Sequence, residues 1–187
     1  MPKIPAKNPK KKVPAGWSYH ATDEKDFEVF VDKGEKHSGS QCATLRSIVE
    51  QPKPFGNLMQ YFSAEKYVGK RVRMTAWVKT NLVEGKSQLW VRVDGDWKSG
   101  AKAGCFDNMD DRPIKAKTDW KKYELVVNIP EKSSAIAFGL MLLGKGQVWL
   151  DDVSFEEVGA DVPLTGKYAD REKRAREPVN LNFEDLD

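Results

Sequence analysis

Apolar and polar side chains alternate in short runs along most of the chain, and turn-forming residues separate the runs. Such alternation puts successive side chains on opposite faces of a strand. The pattern predicts strands near residues 27–32, 41–48, 57–63, 70–80, 87–94, 122–129, 135–143 and 147–157. No long helical pattern precedes residue 160. Many short strands with turn signals at close spacing predict an all-β protein built as an antiparallel β-sandwich.

Two of the predicted strands have clearly different faces. Their apolar faces are expected to form the core: Val72, Met74, Ala76 and Val78 in one strand, and Leu89, Val91 and Val93 in the other. The opposite faces each carry one tryptophan together with arginine: Trp77 with Arg71 and Arg73, and Trp90 with Arg92. These outward side chains are candidates for a binding surface.

A shallow groove is predicted if these strands are neighbours. Gly139 and Met141, on the small-residue face of the strand at 135–143, would be its floor. Aromatic and hydrogen-bonding side chains would line it: Trp77, Trp90, Arg73, Arg92 and Gln60. Aromatic planes beside charged and amide groups suit the apolar faces and hydroxyl edges of sugars. The alternative is that the tryptophans form a satellite core, with the arginines paired to nearby carboxylates.

The long segment after residue 94 adds Asp107 and Asn108 to the candidate site. It contains the run FDNMDDRP at 106–113, which is dense in hydrogen-bonding groups and long for a simple connection. We expect it to cap one end of the groove. The alternative is a surface loop held by pairs of aspartate and arginine.

Three parts of the chain are predicted, and charge sets the first of them apart. The net charge is +3, and the first twelve residues alone carry five lysines and no acid. Residues 1–14 are therefore predicted to be a basic, extended tail, 15–159 the sandwich, and 160–187 a C-terminal extension with a short helix near 169–176. Because the basic excess lies in the tail, no nucleic-acid interface is predicted on the folded domain, although the tail could contact polyanions.

Several other classes of protein are not predicted. No run approaches the roughly 20 apolar residues of a membrane span, and the first residues have no apolar signal-peptide core, which leaves the compartment open. Cys42 and Cys105 are too few for a disulfide scaffold or a four-ligand zinc site. Two free thiols are expected, and the alternative is a single disulfide between them.

No enzyme is predicted either. His20 and His37 are the only histidines, neither accompanies a nucleophile elbow, and no P-loop, GxGxxG or HExxH motif is present. Glycosidase chemistry needs only two carboxylates, so residue type alone leaves it open.

Several motifs resemble those of a known family. GQVWLDDVSFE at 146–156, HSG at 37–39, YVGKRVRMTAWVK at 67–79 and the strand at 120–129 are similar to segments of carbohydrate-binding modules with the galactose-binding-like jelly-roll fold. The likeness spans roughly residues 15–158. The FDNM loop and LWVRVDG at 89–95 look closest to bacterial accessory domains of unassigned role, found beside peptidases, esterases and transcription regulators. The resemblance implies a jelly roll, a non-catalytic binding role, and an extracellular or periplasmic location.

The resemblance also implies a displaced strand and a calcium site. Such modules begin with a strand of the type NLxFE. In this chain the similar sequence lies at 178–184. This segment is therefore expected to complete its own sandwich or that of a neighbouring molecule. Many relatives hold a structural calcium at positions that correspond to Asp32, Asp151 and Glu184, which are hard oxygen ligands. The alternative is that Asp151 and Asp152 cap a strand end in solvent.

Two functions from different classes follow. The first is a binding module that presents its aromatic and polar face to a carbohydrate or similar polar ligand. The second is a structural or protein-interaction domain that assembles through its termini or a sheet face.

Overall fold

The computed structural model describes residues 13–82, 84–95 and 104–166. In this part of the chain ten strands follow one another, with one 3-10 turn at Glu65–Tyr67. The strands are β1 (Ser18–Ala21), β2 (Phe27–Asp32), β3 (Cys42–Ser47), β4 (Gly56–Ser63), β5 (Arg71–Leu82), β6 (Lys86–Gly95), β7 (Phe106–Asp107), β8 (Lys117–Asn128), β9 (Ser133–Leu143) and β10 (Gly146–Val158).

The strands form two five-stranded sheets. The front sheet has the order β1-β4-β9-β6-β7, and the back sheet has the order β2-β3-β10-β5-β8. All pairings between these strands are antiparallel. Sequential strands often lie in different sheets, as a jelly roll requires. The predicted antiparallel sandwich of the jelly-roll class is confirmed.

The core lies between the sheets and follows the predicted alternation. Val72, Met74, Ala76 and Val78 of β5 are all at most 1% exposed, and Leu89, Val91 and Val93 of β6 are fully buried. The same core also contains Leu58 and Leu140 of the front sheet and Leu45 and Val148 of the back sheet. Burial of these side chains, at about 1.5–3 kcal/mol each, is the main driving force for the sandwich.

Strand positions agree with the sequence prediction, with two additions. β1 and β7 were not predicted because four and two residues are too few to show an alternating pattern. β8 begins at Lys117, five residues before the predicted start at 122. This first part of β8 is polar, and it pairs with β5 beyond an irregularity in register between Val78 and Thr80.

The termini carry several predictions outside the described residues. These are the basic tail as far as residue 12, the helix near 169–176 and the strand at 178–184. Within the described ranges no helix is long and apolar enough to span a membrane. The two cysteines are free thiols: buried Cys42 donates to the Glu35 carbonyl over 3.0 Å, and Cys105 to the Asn128 carbonyl over 3.3 Å.

Candidate functional site

Trp77 and Trp90 lie on opposite outer faces of the molecule. Trp77 belongs to β5 of the back sheet, whereas Trp90 belongs to β6 of the front sheet. The two strands follow one another in sequence, but the chain crosses from one sheet to the other between them. The predicted single groove with both tryptophans is therefore wrong, and each outer face has to be considered separately.

The front face is the outer surface of β4, β9, β6 and β7. Register places three cross-strand rows on it: Asn57–Met141–Gln88, Met59–Gly139–Trp90, and Tyr61–Ala137–Arg92, the last extended by Phe106. Of the predicted site residues, Trp90, Arg92 and Met141 are brought together here. Trp77 and Arg73 lie on the other outer face.

Trp90 is buried within the front face and does not expose its ring to solvent. Its side chain is 5% exposed, and its indole Nε1 donates to Asn57 Oδ1 over 2.9 Å. Phe106 covers it from β7, with ring centroids 6.3 Å apart and an edge-on orientation. The expectation that Trp90 offers its ring to a ligand is wrong, and the satellite-core alternative describes it correctly.

The aromatic side chains that are open to solvent on this face are Tyr61 and Phe106. Tyr61 is 70% exposed and Phe106 38%. They stand at the two ends of one row, with Ala137 and Arg92 between them. At about 4.8 Å per strand, their backbones are roughly 14 Å apart. The row therefore carries an exposed aromatic side chain at each end, with Ala137 and Arg92 between them.

Arg92 is held in place within this row. Its Nε and a terminal nitrogen donate to the two oxygens of Asp94 over 2.7 and 2.9 Å, a bidentate pair. These hydrogen bonds raise the pKa of the Arg92 guanidinium above its usual value. The pair offers both donors and acceptors at the surface.

Tyr61 was not among the predicted site residues, whereas its neighbour Gln60 was. Gln60 lies opposite Phe138 on the inward face of β4, and its amide donates to the Gly16 carbonyl over 2.9 Å. Its assignment to the groove is wrong, because successive side chains of a strand point to opposite faces and the outward residue here is Tyr61. The signal was available, because the apolar Leu58 and Phe62 share the parity of Gln60 and mark the inward face.

Gly139 does not open space for a ligand. A Cβ atom at this position would lie 2.3 Å from the carbonyl oxygen of Leu58 and 3.0 Å from Met59 Cα. Glycine is needed here for the close approach of β4 to β9. The expectation that Gly139 leaves room for a ligand above the sheet is therefore wrong. Met141, which is half-buried, does lie on the front face as expected.

The loop after β7 is held by Asp107, which points away from the front face. Asp107 is 2% exposed and accepts from Arg112 over 2.6 Å, from Thr165 Oγ1 over 2.5 Å and from the backbone of Met109 over 2.9 Å. The alternative prediction, a loop held by aspartate and arginine pairs, is confirmed at Asp107. Asn108 beside it is half-buried.

The same loop reaches the end of the front face through Asp110. Asp110 accepts from Lys86 over 3.0 Å and from the buried amide of Gln88 over 3.3 Å. The loop therefore bounds one side of the front face through Asp110, and Asp107 takes no part in this contact. The shared groove that the loop was predicted to cap does not exist.

The back face is occupied by the chain's own turn at 33–38. The His37 ring stacks on Trp77 with centroids 3.7 Å apart, and His37 Nδ1 lies 2.6 Å from Asp152. Lys79 pairs with Glu35 over 3.0 Å. Trp77 thus already has an aromatic partner.

Arg73 is also engaged on the back face. Its terminal nitrogen donates to Glu156 over 3.1 Å. Two of the predicted ligand-binding residues, Trp77 and Arg73, therefore serve contacts within the sandwich.

Asp32 and Asp151, the predicted calcium ligands, hold this turn from both sides. Asp32 accepts from the backbone of Gly34 over 2.9 Å and from the Trp149 indole over 3.1 Å, and Asp151 accepts from the backbone of His37 over 2.9 Å. Burial alone would raise the pKa of Asp32, but these hydrogen bonds outweigh it and lower the pKa.

The calcium site stays a prediction. Glu184 lies outside the described residues. Within the ranges that the structure covers, no cluster of three or more His, Cys, Asp or Glu side chains could hold a metal ion. An added calcium ion that raises the melting temperature would support the site, and an unchanged melting temperature would count against it.

Comparison with known proteins gives one sequence relative. No protein-family model matches the chain. Over 171 residues it is 40% identical to an uncharacterized HTH-type transcriptional regulator, YbfP, of Bacillus subtilis (strain 168). The match takes in 91% of this chain but spans only 57% of the relative's length. The described part of this chain has a single three-residue helix, so a helix-turn-helix has no counterpart there.

Solved structures share the fold at low sequence identity. The CBM22-1 xylan-binding domain of Paenibacillus barcinonensis Xyn10C matches with a TM-score of 0.54 and 16% identity, over 79% of this chain and 89% of that one. The enzymatically active domain of tailspike protein 4 of bacteriophage CBA120 matches with a TM-score of 0.58 and 13% identity, over 77% of this chain and 20% of that one. The chain has the jelly-roll fold of carbohydrate-binding modules, as the sequence motifs predicted.

Proposed function

We propose that this domain binds a carbohydrate, without catalysing its conversion, on the front face between Tyr61 and Phe106. The observation that carries the proposal is the row Tyr61–Ala137–Arg92–Phe106, in which two solvent-exposed aromatic rings flank a small residue and a charged one. Sugars combine apolar ring faces with hydroxyl edges, so they gain from aromatic contact and from directed hydrogen bonds at the same time.

The support beneath the row favours recognition with little reorganisation. Trp90 is fixed by its bond to Asn57, and Arg92 by its fork with Asp94. A binding surface that is ordered beforehand loses less conformational entropy when the ligand arrives. The back face offers no equivalent, because the turn at 33–38 covers Trp77.

The comparisons support the proposal at the level of fold. One structural neighbour is described as a xylan-binding domain, and fold likeness raises the expectation of sugar binding without naming the sugar. The Bacillus subtilis relative is named as an HTH-type transcriptional regulator, and a ligand-binding role for the matched part of it would be consistent with this proposal.

A glycan array probed with the full chain tests the proposal. A variant with Tyr61→Ala and Phe106→Ala should lose the hits, since both contact surfaces are removed. Phe55→Ala is the matched control, because Phe55 is 37% exposed but precedes β4 instead of standing on the face. Equal binding by the double variant and the control would refute the assignment of the site.

The second candidate is a protein-interaction domain. A specific observation favours it: half of one edge of β10 has no strand partner among the described residues. Exposed edges can pair with a strand from another chain. A blank glycan array together with a stable oligomer in light scattering would favour this function over sugar binding.

A further inference from the structure

Charged side chains on the front face occur as matched pairs. On its four strands the outward charged residues are Lys86, Arg92 and Asp94, all of β6. Arg92 pairs with Asp94 over 2.7 Å, and Lys86 pairs over 3.0 Å with Asp110 of the loop after β7. Within the part of the chain that the structure describes, each cation of this face is therefore neutralised by a carboxylate beside it.

The Arg92–Asp94 pair is open to solvent at the position where the proposed ligand lies. The two side chains are 46% and 34% exposed. Arg92 stands in the row between Tyr61 and Phe106, and Asp94 stands in the next row, opposite Ala135. A ligand that lies between the two aromatic side chains therefore meets a positive and a negative group together.

This pair keeps hydrogen-bonding capacity on both sides. The fork uses one N–H of Nε and one of a terminal nitrogen of Arg92. The other guanidinium N–H groups make no further hydrogen bond among the described residues, and each carboxylate oxygen of Asp94 has lone pairs to spare. A hydroxyl group both donates and accepts, so the hydroxyls of an uncharged sugar can use both members of the pair.

An acidic sugar finds no such match. Its carboxylate would lose water of hydration against Arg92, whose charge is already compensated, and it would lie near the like charge of Asp94. Desolvating a charge is unfavourable when no free partner compensates for it, and like charges in proximity repel. Specific sites often reject competing ligands by such repulsion as well as by attracting the correct ligand.

We infer that the front face accepts uncharged glycans and rejects acidic ones, and that Asp94 sets this preference by neutralising Arg92. The inference rests on the proposed function, because it concerns the sugar that binds on this face. Asp94 is then a specificity-determining residue that acts through Arg92.

A printed array that holds each polysaccharide backbone in neutral and acidic form tests the preference on the unaltered full chain. Its probes include xylan with and without glucuronic acid, and polygalacturonan with and without methyl esters. At about 50 mM salt, where screening is weak, the neutral form of a bound backbone should have at least about fivefold higher affinity.

The outcomes on the unaltered chain separate the inference from the proposed function. Equal or tighter binding of the acidic forms would overturn the preference while sugar binding itself stands. If no glycan of the array is bound, the proposed function fails, and the inference fails with it.

A pair of full-length variants tests the role of Asp94. Asp94→Asn keeps the shape of the side chain but leaves the charge of Arg92 uncompensated, so the affinity ratio should shift toward the acidic form by about fivefold or more. Asp119→Asn is the matched control, because it removes the same charge from β8 of the back sheet, where the Asp119 side chain is 88% exposed. The control should keep the ratio of the unaltered chain.

Two further readings complete the experiment. The melting temperature shows whether the Asp94→Asn protein is folded, and the array result for the unaltered chain decides the preference even if it is not. Raised salt should weaken acidic binding by the folded variant and leave neutral binding by the unaltered chain unchanged. The same affinity ratio in the unaltered chain and in a folded Asp94→Asn protein would overturn the role of Asp94.

Discussion

Replacing Trp90 tests whether this tryptophan is structural, as its burial indicates. The side chain is 5% exposed and its indole N–H is bonded to Asn57. Trp90→Ala should lower the free energy of unfolding by about 3–5 kcal/mol, the range for large aromatic residues in a core. Trp90→Phe keeps most of the packing but leaves the Asn57 oxygen without its donor, for a cost of about 1–3 kcal/mol. Urea unfolding followed by far-UV circular dichroism measures both.

The control is Tyr61→Ala on the same face. Because Tyr61 is 70% exposed, its removal should change the unfolding free energy by no more than about 0.5 kcal/mol. The midpoint should move in the Trp90 variants without a change in the slope against urea, since the surface exposed on unfolding is the same. A Trp90→Ala protein within about 0.5 kcal/mol of the unaltered chain would refute the structural role.

Three further predictions concern other parts of the sandwich. Gly139→Ala should cost about 1–3 kcal/mol in urea unfolding, because its Cβ would meet the β4 backbone, and wild-type stability would contradict this. Burial raises the pKa of both Cys42 and Cys105 to about 12. A thiol reagent at pH 8 should therefore react about 100-fold more slowly before unfolding than after it, and equal rates would contradict their burial. Hydrogen bonds from His37 and Ser38 lower the pKa of Asp152. The stability they give is present above the unfolded pKa of about 3.9 and lost as pH falls through the folded pKa. Asp152→Asn should thus lower the melting temperature at pH 7 and have less effect at pH 3, whereas the same loss at both pH values would contradict the role of charge.

The strands could be predicted because their signal is local. Period-two alternation depends on neighbours along the chain, and it placed Val72, Met74 and Val91 in the core correctly. The same rule, applied to 57–63, would have put Tyr61 outside and Gln60 inside. The amide of Gln60 has the chemistry of a groove residue, but its position in the alternation puts it on the inward face.

The arrangement of the sheets could not be predicted in the same way. Trp77 and Trp90 lie on similar outward faces of consecutive strands, yet their strands belong to different sheets. Which strands become neighbours is decided by packing between distant segments, and short sequences near a crossover carry little of that information. The sequence could place each tryptophan outward, but not on a shared surface.

The roles of Gly139 and Trp90 depended on register across three strands. Only the alignment Met59–Gly139–Trp90 shows that glycine is needed for strand approach. Likewise, Asn57 becomes the partner of the Trp90 indole only once β4 and β6 flank β9. Single-strand patterns contain neither fact.

NMR mapping on the full chain shows whether a carbohydrate binds the front face. Backbone amide shifts of the full chain would be recorded during titration with the strongest hit from the glycan array. Binding on the front face should perturb the amides of 57–61, 88–92, 106–110 and 137–141, and none around Trp77 on the back face. Perturbations centred on Trp77 and the turn at 33–38, with the front face unchanged, would contradict it.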